Sequence, residues 1–510
     1  MGYAERDRKQ SVILGLKWRH QSELDQLLRQ LKQPGSVFYQ RYLSADEFDE
    51  RFGPAPNDVA TVIAELAAHG LTVSDVSASG QLITATGSVT AVEQAFAVKL
   101  TQFEVDGTLA VAPDRAPTVP SAIASVVANV TGLDSRETLR PSNTGPRIPP
   151  QDGSPFQPND IARAYDFTPL YAAGIRGDGS RASTIAIATA FGFQAADVTE
   201  FWASFGVSRG LDQVEVIPVG GTTTQTIDET TLDVEWAGAM APGARVLAYV
   251  GPNSSLDTFT SVYDRIVSDN RASVMTISWG LCEQKMPKAV LDQTHAIFQK
   301  AAALGISVVA AAGDSGAFDC GSNVLGVNYP ASDPMVTAIG GTTLLMLNGR
   351  RIAESAWHGS GGGMSCLWQQ SPWQMNLSGW RESADVALNA DPSTGYYVVN
   401  NNGWWSYGGT SVGAPIWAAV LALANQYRAQ MNRQPIGQPG PALCDLAMDP
   451  PWASPALIDV IGGDNGYYPA TSGWDFPTGW GVPDAWVLAN ALATMSPPQS
   501  LEGEFRRCCI

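Results

Sequence analysis

The sequence predicts an α/β molecule in two parts, a parallel sheet flanked by helices preceded by a smaller α+β sandwich of ferredoxin type. Three observations carry this. From Ile161 onward, short apolar strand candidates alternate with helical segments, the pattern of a parallel sheet covered on both faces. Before about residue 140, helices and alternating strands are mixed, as in an α+β sandwich. Between them, RPSNTGPRIPPQDGSPFQPN (Arg140 to Asn159) is rich in Pro, Gly and polar residues and reads as an exposed, cleavable linker. The expected divisions are therefore 1–140, a linker at 141–159, the main domain at 160–495, and a frayed tail at 496–510.

In the first part, a strand-like SVILGLKW precedes helices at Ser22 to Leu31, Ser44 to Phe52 and Asn57 to Ala68, the last closed by Gly70. Alternating segments over Thr72 to Thr86, a helix at Val92 to Val98, a strand pair about Asp106-Gly107 and a helix from Ser121 to Val130 complete it. In the second part, strands are expected at Ser183 to Ala190, Val214 to Val219, Arg245 to Val250, Ser273 to Ser278, Ser307 to Ala312 and Met335 to Ile339. Helices are expected at Gln194 to Phe205, Asp228 to Met240, Ser255 to Asp269 and Ala289 to Leu304. Sites in such folds lie beyond the carboxyl ends of the strands.

With 510 residues, 45% hydrophobic and 16% charged, the chain can fill two cores. A net charge of −18 argues against nucleic acid or an anionic membrane surface as partner, since either would repel it. Only 31 Lys and Arg residues are present, so self-repulsion stays limited when carboxylates are protonated, which favours acid tolerance. The six cysteines, Cys282, Cys320, Cys366, Cys444, Cys508 and Cys509, show no C-x-x-C spacing and suggest buried thiols with one or two disulfides if the protein is exported. The N-terminal apolar run is too short for a secretory signal core, so an ordinary signal peptide is missing.

Chemistry concentrates in WWSYGGTSVGAPIWAAVLALA, Trp404 to Ala424. Glycines permit a sharp turn and close approach, and the following helix places its free N–H groups beside the Ser411 hydroxyl. Pro415 suits a first helical turn. Taken alone, Ser411 would be a helix cap. On TIDETTLDVEWAGAMAPGA, Glu229 and Asp233 stand four residues apart on one helical face. They could be ordinary acidic residues of a first turn, yet the helix turns apolar at once, a setting that raises one carboxyl pKa and makes a base for acid conditions. Asp314, in a strand-end Gly-Asp-Ser-Gly, is a turn former on its own. Beside a serine, a neutral Asp314 could donate a hydrogen bond to an oxyanion. Of His20, His69, His295 and His358, none sits in a setting that supports a Ser-His-Asp triad. A neutral hydrolase using His358, or a binding protein without activity, stand as alternatives.

These motifs, in order, resemble the sedolisin family of serine-carboxyl peptidases, especially its kumamolisin-like bacterial members. The resemblance runs through YQRYLSADEFDERFGPAPNDVATVIAELAAHGLTV in the first part, then ETTLDVEWAGAMAPGA, ISWG, AAAGDSGA, YPASDP, VALNADPSTGY, GGTSVGAP and SGWDFPTGWG. It implies a subtilisin-like fold and an activation propeptide that covers the cleft as an intramolecular inhibitor. It also implies a serine-type endopeptidase or tripeptidyl-peptidase acting on protein or peptide substrates in acid. Ser411 would be the nucleophile, Glu229 the general base, Asp233 its orienting partner and Asp314 the oxyanion-hole acid. Ser278, Trp279 and Gly280 would be the strand edge that pairs with substrate. One departure is Thr189, where kumamolisin-like members carry a further glutamate. In LIDVIGGDNGYYPATSGWDFPTGWG, the resemblance implies one Ca2+ held by the side chains of Asp459 and Asp475 and the carbonyls of Val460, Thr471 and Gly473. A secreted, extracellular monomer is the expected form.

Overall fold

The structure, a computed structural model, describes residues 2–105, 107–145, 155–371, 373–375, 378–448, 455–495 and 508–509. The N-terminal domain places strands Thr72–Val76, Leu82–Ser88, Lys9–Leu16 and Val127–Thr131 side by side, in that order, in one antiparallel sheet. Helices Gln21–Lys32, Ala45–Phe52, Pro56–Ala68 and Val89–Phe96 join them, giving the ferredoxin-type arrangement. The Ala45–Phe52 helix is started by a reciprocal capping box between Ser44 and Glu47. The expected hairpin about Asp106-Gly107 is formed by Leu100–Val105 and Thr108–Pro113.

The expected helix from Ser121 to Val130 is not formed. A turn covers 121–126, and Val127–Thr131 extends as a strand against Ile13–Leu16. Its β-branched residues serve either state, and an unpaired sheet edge decided between them.

The larger domain carries an eight-stranded sheet. Val214–Pro218, Val246–Gly251, Ile185–Ala190, Val274–Ile277, Ser307–Ala311 and Thr337–Leu347 are parallel neighbours in that order. The last strand continues into an antiparallel pair with Arg350–Ala356 and also flanks Val386–Asn389 in parallel. Strand order reverses between Ile185–Ala190 and Val274–Ile277, which opens a crevice at their carboxyl ends. One face is covered by helices Asp228–Met240 and Thr410–Gln430, the other by Leu256–Asp269 and Lys288–Ala303. Ile185–Ala190 is buried at every position, as a strand covered on both sides must be.

The N-terminal domain docks on the second pair of helices. Trp18, Leu24, Leu28, Phe48 and Phe52 share one apolar cluster with Tyr263 and Phe298. Polar contacts frame it: Trp18 Nε1 donates to the Ala296 carbonyl at 3.2 Å, Tyr42 OH to the Ile436 carbonyl at 2.6 Å, and buried Lys300 pairs with Asp49 at 2.7 Å.

The linker departs from its expected exposure. Arg140–Pro141 pairs antiparallel with Trp279 and Gly280, Ser142 is buried, and Phe156 bridges to Tyr396 before the Pro158–Ala164 helix. An open strand edge needs backbone partners, and this segment supplies them. Residues 146–154 of the linker lie outside the described residues, as do 496–507 and 510 of the tail. Within that tail, Cys508–Cys509 forms a short parallel pair with Gln374–Met375. Cys282 and Cys320 form a disulfide, whereas Cys366 is an exposed free thiol.

Candidate active site

Gly408 and Gly409 bring the chain into the crevice and start the Thr410–Gln430 helix. Gly409 has φ 116°, and a Cβ there would come within 2.4 Å of both Asp314 Oδ2 and the Ser142 carbonyl oxygen. Only glycine fits. Ser411 follows in the first turn, fully buried, with its backbone N–H donating to the Ser142 carbonyl at 2.9 Å. Pro415 lies beyond the first turn, inside the helix, rather than where the sequence suggested. It cannot donate to the Ser411 carbonyl as a helical residue four positions on normally would. Ser278 Oγ lies within hydrogen-bond distance of that carbonyl, at 3.2 Å, and of Asp233 Oδ1, at 2.7 Å, so its single proton serves one of the two at a time.

The Asp228–Met240 helix enters from the side and is buried from Glu229 onward. Asp228 stays at its mouth, accepting from the Glu229 N–H at 2.9 Å and from Tyr407 OH at 3.0 Å. Glu229 Oε2 accepts from Asn143 Nδ2 at 2.7 Å, and Asp233 Oδ1 accepts from Ser278 Oγ at 2.7 Å. Burial, then the neighbouring Asp233, push the Glu229 carboxyl well above its usual range. Burial raises Asp233 as well, against the lowering effect of Ser278. Two carboxyls in one dry site resist carrying two charges, so the pair retains a proton far above the ordinary carboxylate range.

Asp314 follows strand Ser307–Ala311. Its Oδ1 accepts from the Thr410 N–H at 2.8 Å and from Thr410 Oγ1 at 2.9 Å. Burial raises it to about 7, opposed by those two donors. Ser411 Oγ, Glu229 Oε1, Asp233 Oδ2 and Asp314 Oδ2 are all buried and without a hydrogen-bond partner. Such atoms are rare in a folded interior and tend to mark working groups.

Trp279 walls the crevice, donating from Nε1 to Thr189 Oγ1 at 3.1 Å; Thr189 in turn meets Thr230 Oγ1 at 2.8 Å. Thr189 and Thr230 thus form a neutral hydroxyl pair beside the Trp279 indole. Neither remaining histidine of the large domain serves Ser411. His358 is 81% exposed and pairs with Asp464 at 3.1 Å, while His295 pairs with buried Asp333 at 2.9 Å. Asn143, Ser142 and Thr410 were not singled out from sequence. The hydroxyl adjoining Ser411 was the one available signal, for Thr410; the two linker residues carried none.

The C-terminal loop gathers Asp459 and Asp475 around 471–473. Gly473 N–H donates to Asp459 Oδ2 at 2.8 Å, and Thr471 N–H to Asp475 Oδ2 at 2.8 Å. Burial first, and the Asp459 charge among the lesser causes, raise Asp475 to about 6. Among the described residues no group of three or more His, Cys, Asp or Glu could hold a metal. An ion here would rest on two carboxylates and backbone carbonyls, a hard-oxygen donor set that fits calcium.

The profile described as "Pro-kumamolisin, activation domain" matches residues 2–136, and that of the subtilase family matches 218–438. Kumamolisin from Bacillus sp. (strain MN-32) is 33% identical, over 85% of this chain and 83% of that protein. Sedolisin from Pseudomonas sp. (strain 101) is 28% identical, over 92% and 84%, and mouse tripeptidyl-peptidase 1 is 28% identical, over 87% and 84%. The solved structure of Pseudomonas sedolisin, titled a serine-carboxyl proteinase, superposes with a TM-score of 0.57 at 27% identity, covering 66% of this chain and 97% of that one. Similarity to kumamolisin across most of both chains, with an activation domain ahead of a subtilisin-like domain, makes this chain a member of the sedolisin family of serine-carboxyl peptidases.

Proposed function

We propose that the protein is a zymogen whose peptidase works in acid through Ser411, Glu229 and Asp233, with Asp314 as oxyanion donor. The observation that carries this is that one side-chain oxygen from each of those residues is buried without a hydrogen-bond partner, while both histidines of the large domain pair with other carboxylates. Ser411 Oγ adds to a peptide carbonyl carbon as its proton passes to Glu229, which later delivers that proton to the leaving amine. Water then hydrolyses the acyl-enzyme by the same route. Asp233 fixes Glu229 by sharing one proton across the pair, and Ser278 holds Asp233 from behind. The oxyanion meets the Ser411 N–H and the protonated Asp314 carboxyl. That donor exists below its pKa of about 7 and is lost as pH rises through it.

Peptide substrate pairs with the strand edge at Ser278, Trp279 and Gly280, the edge that Arg140–Pro141 covers in the zymogen. One Ca2+ at Asp459, Asp475 and the carbonyls of Val460, Thr471 and Gly473 would tie the C-terminal loop together. An extracellular location accords with the Cys282–Cys320 disulfide. The test is the pH profile of peptide hydrolysis in the wild type, Glu229→Gln and His358→Ala. Activity confined to acid, abolished in the first variant and kept in the second, is expected. Activity at or above neutrality, or dependence on His358, would sink the assignment.

A further inference from the structure

We propose that the peptide bond between Ser142 and Asn143 is the one this zymogen presents to its own Ser411, and that the first processing cut falls there. The proposal rests on the peptidase reading above and adds the site of modification.

The register is specified on both sides of one carbonyl. Upstream, Arg140 and Pro141 lie antiparallel to Gly280 and Trp279, and the Ser142 N–H donates to the Ser278 carbonyl at 2.9 Å. This is how an extended peptide adds to an open strand edge. At the centre, the Ser142 carbonyl accepts the Ser411 backbone N–H at 2.9 Å. The same oxygen and Asp314 Oδ2 both crowd the vacant Cβ position of Gly409, at 2.4 Å each. A carbonyl that accepts the nucleophile's own N–H and lies near a buried carboxyl oxygen with no hydrogen-bond partner stands where an oxyanion hole would hold it. Downstream, the Thr144 N–H donates to the Gly408 carbonyl at 3.0 Å, and the Gly408 N–H returns a bond to Thr144 Oγ1 at 3.2 Å. Asn143 Nδ2 reaches Glu229 Oε2 at 2.7 Å, so the residue on the leaving side of the bond touches the proposed base. A shift of one residue either way would break the strand pairing and the oxyanion contact together.

In the reaction, Ser411 Oγ bonds to the Ser142 carbonyl carbon and gives its proton to Glu229. The Ser142–Asn143 C–N bond breaks, and Glu229 passes the proton to the Asn143 nitrogen, which leaves as an amine. Water hydrolyses the resulting ester, restoring Ser411 and ending the released domain in the Ser142 carboxyl group. Because the bond already lies in its own site, the cut is intramolecular.

The full-length wild-type protein, purified at neutral pH and moved to about pH 4, should yield Asn143 as the first new N-terminus. Its rate of appearance should not change on tenfold dilution, and that terminus should be lost in Asn143→Pro. Processed enzyme should also cut a synthetic peptide spanning residues 137–148 between the same two residues, a measurement independent of how any variant folds. A first N-terminus within 146–157, a dilution-dependent rate, or a peptide cut elsewhere overturns the register while leaving the peptidase reading intact. Absence of both self-cleavage and hydrolysis of added peptide overturns the two together.

Discussion

The two domains bury their apolar residues differently. In the catalytic domain, strands such as Ile185–Ala190 are buried throughout, and the sheet is enclosed by helices of its own chain segment. In the activation domain, one core is private, built around Val12, Leu14, Val62, Leu66, Val92 and Phe96. Its other apolar set, with Ile13, Trp18, Leu24, Leu28, Phe48 and Phe52, is completed only by helices of the catalytic domain. A unit that finishes its core on a partner holds tightly while docked yet can be parted from it. The catalytic domain keeps an interior of its own when that happens.

The sharpest test of this contrast removes chemistry without touching either core. Ser411→Ala should abolish self-processing and peptide hydrolysis by roughly 10⁴-fold or more, with the melting temperature unchanged. Surviving activity would break the assignment. Asp314→Ala should cost about 10²–10³ in kcat by removing one oxyanion donor. Asp314→Asn, which can donate at any pH, should instead extend activity above pH 7, and an unaltered profile would count against the donor role.

At the shared core, Phe48→Ala removes a fully buried ring that packs edge-on to Trp18 at 5.1 Å. It should cost about 3–5 kcal/mol in domain docking, read as peptidase activity leaking at a less acid pH. Melting curves that show no loss would mean the private core alone holds the domain. Chelation should lower the melting temperature of the catalytic domain by several degrees through the Asp459 and Asp475 loop. No shift, with no metal found by elemental analysis, would remove the calcium site.

The gentlest effect is on stability against pH, and its sign is informative. Burial raises Asp314 and Asp264 to about 7 and Asp257 to about 6, above the usual carboxylate value near 4. The native state therefore keeps protons that the unfolded chain loses between about pH 4 and 7. Stability is greatest below that window and falls as pH rises through it. Melting temperatures of Ser411→Ala measured from pH 4 to pH 8 should decline across the range, since the Glu229–Asp233 pair also holds a proton that the unfolded chain loses. Asp257 and Asp264 lie on the helix that meets the activation domain, so in acid they favour the docked state. Loosening by acid must originate in other groups, and a zymogen whose melting rises with pH would reverse this conclusion.

Much of the fold was legible because its elements announce themselves locally. Five of the six expected strands of the parallel sheet and the four expected helices between Gln194 and Leu304 form within a few residues of expectation, whereas Thr337–Leu347 runs eight residues past the expected Ile339 and Val386–Asn389 was not foreseen. The segment Ser121 to Val130 misled because its sequence suits two states and a distant strand chose one. Pro415 misled because the carbonyl its missing N–H leaves open lies within reach of the Ser278 hydroxyl, remote in sequence.

The sequence by itself supplied the proposed reactive groups. A glycine-flanked Ser411, two carboxyls one helical turn apart, an Asp at a strand end and a shortage of histidine leave acid carboxyl chemistry as the best-supported option. Tertiary structure decided what those groups face. Burial of Glu229, Asp233 and Asp314 raises their pKa values, which is a property of the surrounding packing rather than of residue type. It also decided the register of residues 140–145, since the hydrogen bonds that hold them come from a strand edge and a helix start far along the chain. Local pattern encodes periodicity and reactive atoms, whereas dielectric environment and long-range pairing exist only once the chain has closed on itself.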